Sequence, residues 1–214
     1  MLLVLAELST FGYVALAVVG WGGVRPFFAH PARATAAGAL CTLAIVSAFS
    51  GIDVSTGRRE GAESRRIILP YVVLTVVSAW LPAASDRRDL WTIDGDTMRW
   101  LGVALLLLGG TLRVWPMFAL GRRFSPFVAI QEGHELCTDG PYRWVRNPSY
   151  LGGLVVMVGW GLVFRSALGV ALVVPGLWLV VGRIRAEEAL LASEFGERWA
   201  AYRAHTWRLV PFVY

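Results

Sequence analysis

The sequence predicts an all-α, polytopic integral membrane protein: five to six transmembrane helices, a C-terminal helical hairpin among them, and a cytosolic helix after it. Three observations carry that prediction. Of 214 residues, 56% are hydrophobic and only 16% charged, with a mean hydropathy of +0.57, whereas a soluble domain needs roughly 25% charged residues to cover its surface. Uncharged runs of about 17 residues recur along the chain, each long enough to cross the hydrocarbon core as a helix. The basic residues are all Arg, with no Lys, and they gather mostly in short segments between those runs.

The first run covers residues 8–24. The opening MLLVLAELSTFGYVALAVVGW lacks a basic segment ahead of the apolar stretch and a small-residue cleavage site, so it reads as a retained span rather than a signal peptide. Glu7 lies close enough to the interface to need no role. Runs over 34–52, 67–84 and 100–120 give three more spans. The last two, 150–164 and 166–182, are short and separated only by Arg165. They predict a tight hairpin that crosses thinly or at a tilt, or dips in and returns, and either choice places both hairpin ends on one face. Residues 183–202 continue the final span as a helix into water, with a break at Gly196. No internal repeat appears, and the polar pieces are too small to bury cores of their own, so residues 1–214 read as one membrane domain.

Orientation follows from the arginines, because positive charge is retained in the cytoplasm. One face collects Arg58, Arg59, Arg65, Arg66, Arg122, Arg123, Arg143, Arg146, Arg183, Arg185, Arg198, Arg203 and Arg208; the other has Arg25, Arg33, Arg87, Arg88, Arg99 and Arg165. Both termini, segment 121–149 and tail 183–214 are therefore expected in the cytoplasm, meeting at the base of the hairpin. The linker 85–97 carries four Asp and reads as a solvated outer loop.

The net charge of +5 would suggest nucleic acid as a partner for a soluble protein. Here it is explained by membrane orientation, and no nucleic-acid partner is expected. Cys41 and Cys137 are too separated for a disulfide framework or thiolate metal site. His30, His134 and His205 are isolated, and there is no HExxH, GxxxxGK[ST] or GxSxG motif, so no metal is expected. The glycines of 20–23 and 152–161 fit close helix packing within spans.

Three features are candidates for chemistry. Arg183 and Glu187, four apart, share a helix face just past the membrane, and on spacing alone they read as a surface ion pair. Segment 121–149 is rich in turn formers: Asp139, Gly140 and Pro141 make a turn, and Pro148 fixes the backbone before a helix whose free N–H groups can receive a carboxylate or phosphate. An interfacial loop with Tyr142 and Trp144 at headgroup depth, and Arg143 and Arg146 meeting anionic lipid, accounts for it equally well. Arg113 lies inside the fourth span, where a guanidinium either faces a polar cavity or snorkels to the surface near Leu120.

From Arg113 onward the sequence resembles the isoprenylcysteine carboxyl methyltransferase family and its prokaryotic relatives. The matching pieces are Arg113 to Trp115, Leu120-Gly121, Phe124, His134 with Leu136, GPYRWVRNPSYLG, Arg183 with Glu187 and Glu188, Phe195-Gly196, Tyr202 and Val210-Pro211-Phe212. They cover roughly the last hundred residues in order and spacing; the first hundred match only as generic spans. The resemblance implies an S-adenosylmethionine-dependent methyltransferase of the membrane without a Rossmann domain, with N-terminal spans in 1–99 and the catalytic spans, cofactor loop, hairpin and tail in 100–214. Carried over, His134, Gly140, Pro141, Tyr142, Arg146, Asn147, Pro148, Tyr150 and Glu188 bind the cofactor, Arg183 and Glu187 sit nearest the chemistry, and Arg113 lines the substrate channel. Asn147 stands where the family has His and cannot carry a proton.

The implied acceptor is lipophilic or lipid-linked and enters from the bilayer, most simply as a carboxylate. A phospholipid amine or a thiol is the alternative. An Arg- and Ala-rich chain without Lys points to a bacterial inner membrane, with the active site on the cytoplasmic side. An NADPH-dependent membrane reductase of sterol-reductase-like design is the competing enzyme class, and the Arg183, Glu187 and GPYRWVRNP context fits the methyltransferase better. A non-enzymatic transport or interaction protein is disfavoured, since no discontinuous helix pair or repeat is visible.

Overall fold

A computed structural model of the chain describes residues 2–49, 62–120 and 136–214. The described residues form α1 (Leu2–Trp21), α2 (Val24–Phe28), α3 (Pro31–Ala48), α4 (Ala62–Arg87), α5 (Asp96–Leu120), a 3-10 helix (Gly140–Arg143), α6 (Pro148–Val163), α7 (Ala167–Ala171), α8 (Val173–Phe195) and α9 (Glu197–Ala204). Four stretches are long and apolar enough to cross a membrane: Pro31–Ala48, Leu69–Arg87, Asp96–Phe118 and Ala167–Phe195. Ser9–Trp21 and Pro148–Val163 are shorter apolar helices. All six expected runs thus fall on helices.

Local chemistry sets most of the boundaries. α1 stops at Trp21, short of the expected limit, because Gly22 and Gly23 adopt φ of 100° and 131°, open to glycine and strained for other residues. The chain then makes α2, which the hydropathy pattern did not announce. Pro31 occupies the first turn of α3, and the His30 ring accepts from the Ala32 N–H at 3.2 Å, satisfying one free donor of the helix start. The hairpin turns at Arg165, with φ 47°, and its return arm is two helices rather than one. Ser166 caps α7 by accepting from the Gly169 N–H at 2.9 Å. α8 then runs without interruption from the apolar region to Phe195 and ends on Gly196 at φ 50°, where the sequence placed the break.

α5 and α6 make the most extensive helix pair, and glycine is the reason. A Cβ on Gly109 would stand 2.8 Å from the Gly152 carbonyl oxygen, and one on Gly152 would stand 2.5 Å from that of Gly109. Two turns away, Gly102 and Gly159 repeat the relation, at 2.6 and 2.8 Å. Backbones this close leave no room for a side chain, so dispersion contacts and tight packing replace the missing hydrophobic drive between helices in lipid. Around this pair, Ala17, Ala32, Ala36 and Ala83 let α1, α3 and α4 close over Phe27, Leu106, Trp160 and Phe164. Trp160 and Phe164 meet edge to face at 5.0 Å.

The end of the molecule at the hairpin turn corrects the solvated-loop reading of 85–97. The Asp86 side chain is fully buried. Its Oδ2 accepts from Arg99 at 2.6 Å, its Oδ1 from Arg165 at 3.0 Å, and Arg99 also donates to the Val163 carbonyl at 2.8 Å. Burying a carboxylate is tolerable only where partners replace its lost hydration, and both guanidinium groups supply that here. It ties α4, α5 and the hairpin turn together.

Candidate active site

The other end of α6 gathers the candidate residues. Gly140, at φ 59°, starts the 3-10 helix, and Pro141 and Tyr142 turn inward and are buried. The C-terminal segment then folds back over this turn. Tyr202 donates its hydroxyl to the Tyr142 carbonyl at 2.8 Å, the Arg146 N–H donates to the Trp207 carbonyl at 2.8 Å, and the Trp207 N–H donates to the Trp144 carbonyl at 3.0 Å. Leu209 seals the junction, buried against Leu154, Val180 and Ile184. Burial pushes the Tyr142 and Tyr202 phenols well above their ordinary range, so both are neutral hydroxyls at physiological pH.

Successive residues on a helix point about 100° apart, and Glu187 and Glu188 of α8 accordingly serve different partners. Glu188 is buried and flanked by two guanidinium groups: Arg146 Nε donates to its Oε1 at 2.9 Å and Arg208 Nε to its Oε2 at 2.9 Å. Arg146 also donates to the Arg203 carbonyl at 3.2 Å, the Thr206 hydroxyl at 3.2 Å and the Thr206 carbonyl. Asn147 donates its side-chain amide to the Arg208 carbonyl at 2.8 Å. Arg146, Asn147 and Glu188 thereby clasp the C-terminal segment to the starts of α6 and of the polar part of α8.

Glu187 faces inward instead. Its Oε1 accepts from the Tyr150 hydroxyl at 2.6 Å and from Arg183 Nε at 3.1 Å. Both bonds fall on one oxygen, so Oε2 has no protein donor among the described residues. The Arg183 guanidinium carbon lies 5.9 Å from the Tyr150 ring centroid. The Arg183–Glu187 pair, which spacing alone assigns to the surface, is therefore only about a quarter exposed and joined to Tyr150 in a three-residue array.

Two residues from earlier spans complete the arrangement. Arg113 of α5 lies within electrostatic range of Arg183, Tyr150 and Tyr71. Its guanidinium rests over Gly153, where a Cβ would stand 3.0 Å from one terminal nitrogen. Among the described residues Arg113 makes no ion pair, and its charged or ionisable neighbours include Arg183 and Tyr150 of the array. Tyr71 of α4 has a buried hydroxyl with no hydrogen-bond partner among the described residues, and a buried unpaired hydroxyl is costly unless something else satisfies it.

Of the expected residues, the structure brings Arg113, Tyr150, Arg183 and Glu187 to one place, and sets Gly140, Pro141, Tyr142, Arg146, Asn147, Pro148 and Glu188 in the wall beside it. His134 lies outside the described residues. Tyr71, Thr206 and Arg208 were not anticipated. Nothing in their spacing marks them, since Tyr71 sits in an ordinary apolar run and Arg208 counts in the sequence only as a face charge. Among the described residues no group of three or more His, Cys, Asp and Glu converges as a metal site.

Comparison with known proteins finds relatives of the same general kind. A phospholipid methyltransferase family model matches residues 97–198. Protein-S-isoprenylcysteine O-methyltransferase of Tribolium castaneum is 29% identical over 150 residues, covering 67% of this chain and 53% of that protein. The Schizosaccharomyces pombe enzyme of the same name is 34% identical over 114 residues, covering 52% and 48%. The solved structure of the eukaryotic intramembrane Ras methyltransferase, an isoprenylcysteine carboxyl methyltransferase, superposes with a TM-score of 0.58 at 20% identity, covering 94% of this chain and 73% of that one. Over its second half the chain is similar to isoprenylcysteine carboxyl methyltransferases. Its fold is that of a helical integral membrane protein, and it spans about half the length of the beetle and fission-yeast relatives. The matched stretch begins where α5 does and ends within α9, so it contains Arg113, the whole of α6, and Arg183 with both glutamates.

Proposed function

We propose that this protein is an S-adenosylmethionine-dependent methyltransferase that esterifies the carboxylate of a lipophilic acceptor, such as an isoprenylcysteine. The observation that carries the reading is the grouping of side chains at the array. Arg183 pairs with Glu187, and the Arg113 guanidinium lies within electrostatic range of Arg183 and Tyr150, a set of groups suited to holding an anionic acceptor. The similarity to carboxyl methyltransferases supports the same acceptor. The Tyr71 hydroxyl and Glu187 Oε2, neither with a hydrogen-bond partner among the described residues, fit S-adenosylmethionine, which brings hydroxyls, an ammonium and a carboxylate to pair with them.

S-Adenosylmethionine supplies a methyl group already activated on a sulfonium, so a carboxylate acceptor needs no proton removed. Holding is what remains for the protein. Arg183 and Arg113 grip and orient the acceptor carboxylate. Glu187, braced by the Tyr150 hydroxyl, fixes the rotamer of Arg183 and offers Oε2 to the cofactor. Tyr142, Pro148 and Gly140 shape the cofactor wall, and the clasp of Arg146, Asn147 and Glu188 keeps that wall in place. The position of His in the family is filled by Asn147, whose amide is spent on the Arg208 carbonyl, consistent with a positioning role. The acceptor enters from lipid, and the arginine asymmetry supports a cytoplasmic active site in a bacterial inner membrane.

The test is methyl transfer from radiolabelled S-adenosylmethionine to an S-isoprenylcysteine with a free carboxylate. The expected product is an alkali-labile methyl ester, lost at least a hundredfold in Arg183→Leu. Alkali-stable label on a phospholipid amine, the chemistry in the name of the matching family model, would overturn the carboxylate assignment. NADPH oxidation without methyl transfer would overturn the methyltransferase reading.

A further inference from the structure

Beside the clasp, and outside the array, lies a cavity of about 270 Å³ lined by Arg146, Arg203, Thr206, Trp207, Arg208 and Tyr214. Its charge is one-sided. Three arginines line it, and two of them, Arg146 and Arg208, share the carboxylate of Glu188. The Arg203 side chain has no hydrogen bond or ion pair among the described residues, and a fourth guanidinium, Arg185, acts on the Tyr214 hydroxyl. Arg208 donates to that same hydroxyl.

The rim is apolar. The Trp207 and Phe212 rings meet at a tilt with centroids 5.5 Å apart, Phe212 is 85% exposed and Val213 78%, and Trp144 projects nearby from the 3-10 turn. Solvent water is a poor neighbour for such a rim, whereas aromatic side chains at the end of a spanning helix sit at the headgroup layer. The cavity is at that level, because α8 has just left its apolar stretch and the C-terminal segment has folded back against the start of α6. The cavity's volume is sufficient for a phosphodiester.

We infer that the cavity between Arg146, Arg203 and Arg208 binds the phosphate headgroup of an anionic membrane phospholipid, with Trp207 and Phe212 lying in the acyl boundary. The guanidinium fork suits phosphate oxygens, and the lipid would fasten the C-terminal segment that covers the site.

The experiment uses the full chain purified in neutral detergent and titrated separately with short-chain phosphatidylglycerol, short-chain phosphatidylcholine and inorganic phosphate, reading the thermal midpoint. Phosphatidylglycerol is expected to stabilise the protein, with phosphatidylcholine and phosphate far weaker. Half-saturation should weaken about fivefold in Arg203→Gln, the scale of one basic contact at a membrane surface, and stay within twofold of wild type in Arg203→Lys. Arg88→Gln, at the opposite end of the molecule, should leave it unchanged. Equal effects of the two lipids, or an unaltered response in Arg203→Gln, would overturn the site. Stabilisation by inorganic phosphate matching that by phosphatidylglycerol would overturn the lipid as its source. Competition with S-adenosylhomocysteine would assign the cavity to the cofactor.

Discussion

The Tyr150 hydroxyl stands 2.6 Å from Glu187 Oε1, the same oxygen that accepts from Arg183. This bond joins the first turn of one hairpin arm to the polar extension of the other. Arg183 and Glu187 would form an i, i+4 pair on any helix; the tyrosine makes the pair a fixed element of the site. Tyr150→Phe is expected to preserve the fold and weaken S-adenosylhomocysteine binding about tenfold, corresponding to ~1.4 kcal/mol, within the range of a hydrogen bond to a charged group. Titration calorimetry on the purified variant measures it.

Glu188 should behave differently from Glu187 although the two are adjacent. Glu188→Ala leaves Arg146 and Arg208 facing each other without their shared carboxylate, and breaking a buried pair costs about 3 kcal/mol or more. The expected outcome is a large fall in thermal stability and protease cutting in residues 197–214. Glu187→Ala should leave stability nearly unchanged and abolish turnover.

Gly109→Leu is expected to abolish the folded protein, because the Gly152 carbonyl occupies the space its Cβ needs. Gly182→Ala, where no atom lies within 4 Å of the added methyl, should be tolerated and slightly stabilising through the helix. Detergent-solubilised yield and size-exclusion profiles separate the two.

Arg165→Leu removes one of the two guanidinium groups on Asp86. It should lower the thermal midpoint, while the affinity for S-adenosylhomocysteine changes by less than twofold, since the network lies at the far end of α6 from Tyr150.

The sequence made the six apolar runs, the hairpin turn at Arg165 and the stop at Gly196 readable, because each depends on local chemistry: uninterrupted hydropathy, one charged residue between two runs, one glycine able to take positive φ. The division of the return arm at Leu172 left no such mark, since α7 and α8 are both apolar. Asp86 was misread for a related reason. Four Asp in thirteen positions look like solvent-facing polarity, and only Arg99 and Arg165, one 13 and the other 79 residues away, take one of them out of water. Within the site, the resemblance picked out Arg183, Glu187 and Tyr150, but pairing Arg146 with Glu188 and Thr206 spans 42 and 60 residues. Contacts of that reach follow from the fold, and Tyr71, on a helix from the half of the chain with no motif, was reachable only through it.

The most direct test is calorimetric titration of S-adenosylhomocysteine and, separately, NADPH into detergent-purified wild type and Glu187→Ala. The account predicts saturable binding of S-adenosylhomocysteine to wild type, no binding of NADPH, and at least a tenfold loss of affinity in a Glu187→Ala protein whose thermal midpoint is retained. Absence of S-adenosylhomocysteine binding to folded wild type, or equal affinity in Glu187→Ala, would contradict it.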